Sequence, residues 1–463
     1  MLTPRTIRVL LRRCIEAFFV VLPFIYACQV YFMTKLVVLI PYSMIVVAWL
    51  LHLLSSKPNA RMPKPGETTT KHTLLDDVVV FFSIMISLWI LFELTFYGFE
   101  SALRLFLIFF LPVTLYFLRG QFLRNKASHS FLAIITLTAS VVAAELLYEI
   151  VHTKFLFLEP TAFQKMNYEY VAALGTGELS QLVEAVYKSP GLLEHAHASA
   201  AFVGIGVIGA ITLWVTGKQN IWMYVGGMNL LILMLSAVRT AQLATFISVM
   251  TMGFLLRRNL GARRRITRVV IGVIFVVCLG IGSVGIAYPG ELSSLVKSFY
   301  GGVPTGDVFQ DEDTITGILD YSFWHNFKAL NEHPTAVLFG VGPTTLMEKL
   351  GAGSDDFFVI QVFAQFGLMG GLLFYSIPIL ALWEGSVSLK RVNSKDAMLI
   401  TGYLAIIVLL FVTTIHSGVL QRKGIFPVLW LSLAVVRFYS YSVITGISGR
   451  RLTQMGARGR AVT

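Results

Sequence analysis

The sequence predicts an all-α polytopic membrane protein of about twelve transmembrane helices, with both termini cytoplasmic and a large extracytoplasmic loop that carries surface helices. Three observations predict it. Apolar runs of about 20 residues, the length that crosses a bilayer as helix, recur along the whole chain. Lysine and arginine gather in every second connection between those runs. Two of the other connections are long and polar, and one of them contains helix-like sequence of its own.

The apolar runs come first. Of 463 residues, 56% are hydrophobic and 13% charged, with a mean hydropathy of +0.73. A soluble core does not need so much apolar sequence. The runs are continuous rather than alternating, which selects helices over a barrel. They place spans near 15–34, 36–54, 78–97, 102–118, 130–151, 199–216, 219–237, 239–256, 269–288, 357–382, 398–415 and 425–441. The basic start "MLTPRTIRVLLRR" precedes an apolar run as long as a full span, with no clear small-residue cleavage site, and reads as a retained first helix. The three cysteines, Cys14, Cys28 and Cys278, fall in or beside apolar runs, with neither disulfide-framework nor metal spacing, so they read as packing residues.

The charges set the orientation. With the N-terminus in the cytoplasm, the inside segments are "RTIRVLLRR", "SSKPNARMPKPGETTTKH", "RGQFLRNK", "GK", "RRNLGARRRITR", "LKRVNSK" and the tail "RFYSYSVITGISGRRLTQMGARGR". They hold 26 of the 37 Lys and Arg residues, leaving 11 outside, which is the positive-inside pattern. The net charge of +12 is thereby accounted for by basic clusters at anionic headgroups, and no nucleic-acid partner is needed.

The connections give the organisation. Residues 1–151 form helices one to five, 152–198 an extracytoplasmic loop, 199–288 helices six to nine, 289–356 the large extracytoplasmic loop, 357–441 helices ten to twelve and 442–463 a basic cytoplasmic tail. Long loops in compact membrane proteins usually carry function. In the larger one, "TITGILDYSFWHNFKALNEHP" has near-helical apolar spacing, with Pro334 as a stop.

The cations left outside are informative. Arg239, in "MLSAVRTAQLATF", is wedged between two apolar runs at their outer end; Arg422 and Lys423 lie between the last two spans; Arg104 is one turn into the fourth. Each reads either as a snorkelling anchor or solvated turn, or as a ligand for an anion at the outer face. Arginine pairs bidentately with phosphate, and a lipid-linked pyrophosphate suits the position; composition alone does not separate it from a headgroup or a transported anion.

At the residue level the chain resembles the superfamily of O-antigen ligases and O-antigen polymerases. "SAVRTAQLATFISVM" is similar to the family's Arg-Ser or Arg-Thr helix opening, "FWHNFKALNEHPTAVLFGVGP" to its Trp, short helix and Phe-Gly-Val-Gly loop, and "DDFFVIQVFAQFGLMGGLLFY" to the following helix with its Gly-x-x-Gly. Together these span Leu235 to Tyr375. Where ligases carry a His-Asn pair this chain has Asp356 and Phe357, and where many family loops carry Arg, four residues before the Trp, it has Asp320. The acidic pair looks more like a polymerase.

The resemblance implies a GT-C-like fold in the bacterial inner membrane and a metal-independent, inverting glycosyltransferase without cofactor. Its donor would be a polyprenyl-pyrophosphate-linked glycan and its acceptor a second glycan, with membrane lipids, a chain-length regulator and a flippase as further partners. The alternatives are an O-antigen ligase acting on lipid A-core and a polysaccharide transporter or flippase; the latter predicts two pseudo-repeated halves, which the sequence does not show. Fixed cations can stabilise a departing pyrophosphate, which gives that role first to Arg239, with Arg422, Lys423 and Arg104. The acceptor hydroxyl needs a base. Asp356, with Asp355, sits at the mouth of a helix beneath a loop, although "GAGSDDFF" is also a good N-cap through Ser354 or Asp355. His325 and His333 are further catalytic candidates or packed loop residues. Trp324 and Tyr321 suit sugar stacking as well as core packing. Gly340 and Gly342 suit a tight turn or close approach to substrate. His195 and His197, in "LLEHAHASAAF", could contact sugar or cap the sixth span; a metal is rejected because no third ligand stands nearby. There is no P-loop, dinucleotide fingerprint, His-Glu-x-x-His or Gly-x-Ser-x-Gly element.

Overall fold

A computed structural model describes residues 4–24, 39–55, 73–123, 127–156, 158–159, 161–162, 164–165, 191–193, 195–217, 219–236, 238–257, 336–342, 358–416 and 424–444. Among the described residues there is no strand. We number the helices α1 (Pro4–Val21), α2 (Leu39–Ser55), α3 (Leu74–Phe96), α4 (Phe99–Phe122), α5 (Ala127–Ile150), α6 (Ala196–Gly217), α7 (Ile221–Leu235), α8 (Arg239–Leu255), α9 (Ala336–Phe339), α10 (Phe358–Ser388), α11 (Ser394–His416) and α12 (Phe426–Ile444). Every expected span except 269–288, which lies outside the described residues, overlaps one of them. Among the described residues six helices are long and apolar enough to cross a membrane: α3, α4, α5, α6, α10 and α11. The protein is an all-helical membrane protein.

Helix α6 is the hub. It packs against α5, α7, α8 and α11, and nearly all its residues are buried. Small residues permit that crowding, because lipid gives helices no hydrophobic reason to associate and close backbone approach supplies the contact instead. A Cβ on Gly209 would stand 2.1 Å from the Thr136 hydroxyl of α5, and one on Gly204 2.4 Å from that of Thr245 on α8. Helix α3 is the opposite case. It shows Phe81, Leu88, Leu91 and Phe96 on its outer face, the pattern of a lipid-facing helix on the rim.

Two helices depart from the expected spans. The first span was expected at 15–34, yet α1 already begins at Pro4 and includes the four arginines of the basic start. It is amphipathic: Leu11, Ile15, Phe18 and Phe19 are buried, and Glu16 accepts from Arg12 Nε (2.8 Å) and Arg13 Nη1 (2.7 Å). Pairs three and four residues apart share a helix face, so the arginines are held rather than helix-ending. The fourth span is one helix with a π-helical segment at Phe106–Phe110, where the Leu111 N–H reaches back to the Phe106 carbonyl. Pro112 follows at once. It has no N–H to give the preceding turn, and the wider turn accommodates it.

At one end of the bundle a buried ion cluster ties α3, α4 and α12 together. Asp76, in the first turn of α3, accepts from Tyr116 Oη (2.8 Å), Arg119 Nη2 (2.9 Å) and Arg437 Nε (3.0 Å to each oxygen), and pairs also with Arg437 Nη2. Arg437 was counted with the cytoplasmic tail; it is instead 1% exposed inside α12. Removing one partner of such a cluster strands buried charge. Asp76→Asn should therefore cost roughly 3–5 kcal/mol, read as a large fall in melting temperature in detergent. A melting curve like the wild type's would show that the two arginines find other partners.

Candidate functional site

The other end of the bundle gathers the polar groups. Helix α5 ends with Glu145 and Glu149 four residues apart on one face. Glu149 is fully buried, and its carboxylate holds two separate segments: Oε1 accepts from Thr161 Oγ1 (2.9 Å) and Oε2 from the Gly191 N–H (3.1 Å). One side chain thus clasps the chain just after α5 and again just before α6. Gln164 supports it, taking the Thr161 N–H (2.8 Å) and reaching Thr153 Oγ1 (3.4 Å). Glu145 lies against the same turn; a Cβ on Gly191 would come within 3.1 Å of its Oε2.

The turn Gly191–Leu193 leads into α6, where Ser199 Oγ accepts the Leu193 N–H (3.4 Å). The His195 and His197 rings stand 5.3 Å apart, and His197 Nδ1 is 3.0 Å from Thr240 Oγ1. Thr240 follows Arg239, the exposed first residue of α8. Leu193 also packs where a Cβ on Gly424, just before α12, would meet it at 2.5 Å. The end of α5 and the starts of α6, α8 and α12 therefore meet in one place, which joins His195, His197 and Arg239.

A second arrangement lies beside α3. Helix α10 is broken at Gly367, whose φ of 69° and ψ of −176° leave the helical region. The break frees backbone carbonyls, and the segment after α9 takes them: the Val341 N–H donates to Ala364 O (2.9 Å) and the Gly342 N–H to Gln365 O (3.0 Å). Gly340 and Gly342 both have positive φ, at 80° and 83°. The strands of backbone touch: a Cβ on Gly340 would lie 2.1 Å from Gln365 O, and one on Gly367 2.3 Å from Leu338 O. Phe-Gly-Val-Gly and the first glycine of Gly-x-x-Gly are thus two halves of one joint. Gly342 also abuts Trp89 and Glu93, and buried Glu93 accepts from Ser101 Oγ at the start of α4. Arg104 is exposed one turn further along α4.

Below this joint an apolar groove of about 950 Å³ runs between α3 and α10. Phe81, Leu88, Phe92, Met369 and Leu372 line its flanks, and Phe339, Gly340 and Val341 close one end. Rings link it to the first arrangement: Phe366 stands 5.3 Å from Phe109, and Phe109 5.5 Å from Phe426, two residues after Gly424.

Of the residues expected from sequence, Arg239, His195 and His197 come together, while Arg104, Gly340 and Gly342 belong to the second arrangement. Asp355, Asp356, His325, His333, Trp324, Tyr321, Arg422 and Lys423 lie outside the described residues. Glu145, Glu149 and Glu93 were missed, though the signal was present: each is a carboxylate inside an apolar run, where an ionisable group is costly and usually functional. Among the described residues no three His, Cys, Asp or Glu side chains gather as metal ligands. The chain matches no known family profile and no characterised protein. Fold and site together define a helical membrane protein with a cluster of polar groups at one end of the bundle and an apolar groove beside it.

Proposed function

We propose that the chain is a membrane glycosyltransferase of the polymerase type. It joins polyprenyl-pyrophosphate-linked oligosaccharide repeat units into a surface polysaccharide at the outer face of the bacterial inner membrane. The observation that supports this most is the apolar groove between α3 and α10, whose Phe81, Leu88, Met369 and Leu372 are exposed and whose end at the level of the polar groups is closed by Phe339, Gly340 and Val341. A long isoprenoid chain needs an apolar track of this kind, and its pyrophosphate needs cations at the end of the track. Arg104 and Arg239 stand at that end of the bundle.

In this reading the acceptor hydroxyl oxygen attacks the anomeric carbon of the donor sugar. The bond from that carbon to the pyrophosphate oxygen breaks, and its electron pair leaves with the pyrophosphate, whose charge Arg239 stabilises. The hydroxyl proton passes to a carboxylate, Asp356. His195, His197 and the loop aromatics Trp324 and Tyr321 orient sugar. Glu149 has a separate role: it fixes the turn from which His195 and His197 depart.

The test is reconstitution of the purified protein with a lipid-linked oligosaccharide, read as a glycan ladder. Growth of the ladder on lipid-linked acceptor supports the polymerase; transfer only to lipid A-core gives the ligase; neither product sinks the reading. Asp356→Asn keeps the size and capping ability of the side chain but not proton acceptance, so turnover should fall by roughly a hundredfold or more while donor binding persists. Asp355→Asn should be milder. An active Asp356→Asn beside an inactive, folded Glu149→Gln would move the base to α5.

A further inference from the structure

The end of the bundle opposite the polar cluster holds a cavity of about 620 Å³, between the last turns of α8 and α10 and the first turn of α11. Apolar sequence stops at this level on each helix: the long span of α10 ends at Ser388 and that of α11 begins at Ser394. The cavity therefore lies where hydrocarbon gives way to headgroups. We propose that it binds an anionic phospholipid, with the headgroup phosphate between Arg257 and Lys390.

Charge argues for an anion. Arg257 and Lys390 both line the cavity, and among the described residues no lining residue carries a carboxylate and neither cation has an ion-pair partner. Two carboxylates stand six residues from Lys390: Glu384, buried in α10 and not part of the lining, and Asp396, taken up by Asn393, whose Nδ2 donates to it (2.6 Å) while its Oδ1 caps α11 at the N–H groups of Lys395 and Asp396. The Arg257 guanidinium is already set in place, 4.4 Å above the Phe254 ring. A cation stacked on an aromatic face keeps its N–H edges free for phosphate.

The walls argue for a lipid over free phosphate. Phe254, Leu255, Leu256, Leu389 and Val392 form an apolar side to the cavity. Inorganic phosphate would meet the cations and leave that side bare; a phospholipid meets both. Basic pockets between transmembrane helices on the cytoplasmic side are suited to anionic headgroups. In the orientation read from the charge distribution, this end faces the cytoplasm. The inference is independent of the glycosyltransferase reading.

The experiment uses the full chain in detergent, with retained lipid read by native mass spectrometry against added phosphatidylglycerol, phosphatidylcholine or glycerol phosphate. Phosphatidylglycerol should be retained at one per chain in preference to phosphatidylcholine, and glycerol phosphate should not displace it. Arg257→Gln with Lys390→Gln should weaken retention about tenfold or more at unchanged melting temperature. Lys390→Arg should restore binding in the Lys390 position, and Arg8→Gln, an exposed cation on α1, should leave it untouched. Equal retention of the two lipids, or wild-type retention by the double glutamine variant, would overturn the site. Displacement by glycerol phosphate would overturn the lipid as its occupant.

Discussion

Arg239→Ala is expected to insert and fold normally yet to lose polymer formation by roughly a thousandfold or more, the scale seen when a fixed cation or donor is removed from a developing anion. Folding should not suffer from the local terms. Arg239 opens α8, and a cation at a helix N-terminus faces the positive end of the helix dipole. Alanine removes that conflict and is the better helix former. A residue that its own helix does not favour is therefore a candidate for function. Arg239→Lys restores charge without the planar fork, so it should recover little if the contact to pyrophosphate is bidentate. The readout is the glycan ladder beside the yield and melting temperature of each variant. Full activity in the lysine variant would reduce the role to charge alone; full activity in the alanine variant would remove Arg239 from the site.

His197 tests the neighbourhood of that residue. Its Nδ1 is bonded to Thr240, so the start of α8 and the start of α6 are fixed to each other. The turn before α6 is fixed in its turn by Glu149. Arg239 therefore inherits its place from a carboxylate on α5, through the turn, His197 and Thr240.

The helical class was legible because apolar runs of bilayer length leave few alternatives, and six of the described helices are long and apolar enough to cross a membrane. The cluster of His195, His197 and Arg239 was only partly legible. Each residue stood out alone, but their meeting depends on α6 packing between α5 and α8, which no local pattern encodes. Glu145 and Glu149 were hidden by the same reasoning that found their span: averaging over an apolar run dilutes two carboxylates. Arg437 was misplaced because it lies near the end of the last run, where charge usually means the span has finished; its partner Asp76 is 361 residues away in sequence. The start of α1 was missed because four arginines look like a flank, whereas Glu16 and Ser130 of α5 hold Arg12 and keep that stretch part of a helix. The break at Gly367 was invisible, since a glycine in an apolar run reads equally well as a close helix contact.

That break supports the second large prediction. Gly367→Ala is expected to cost about 3–5 kcal/mol, combining backbone strain at a conformation that only glycine adopts readily with overpacking against a carbonyl. The alanine Cβ would meet Leu338 O at 2.3 Å and Phe339 N at 2.4 Å, and these are backbone atoms that no rotamer can move aside. Gly340→Ala attacks the joint from the other side, with its Cβ 2.1 Å from Gln365 O, and should cost a similar amount. Because both break the same pair of hydrogen bonds, from Val341 and Gly342 to Ala364 and Gln365, the double variant should lose less than the sum of the two. Gly120 in α4 is the control. Nothing lies within 4 Å of a Cβ there, and alanine in a helix should be neutral or stabilising by about 0.5–1 kcal/mol. Melting temperature in detergent orders the four variants, and the ladder assay reads activity on those that fold. Melting of Gly367→Ala alongside Gly120→Ala would mean the joint is not structural. If activity were nevertheless lost, the glycines would be admitting substrate to the backbone rather than closing the end of the groove.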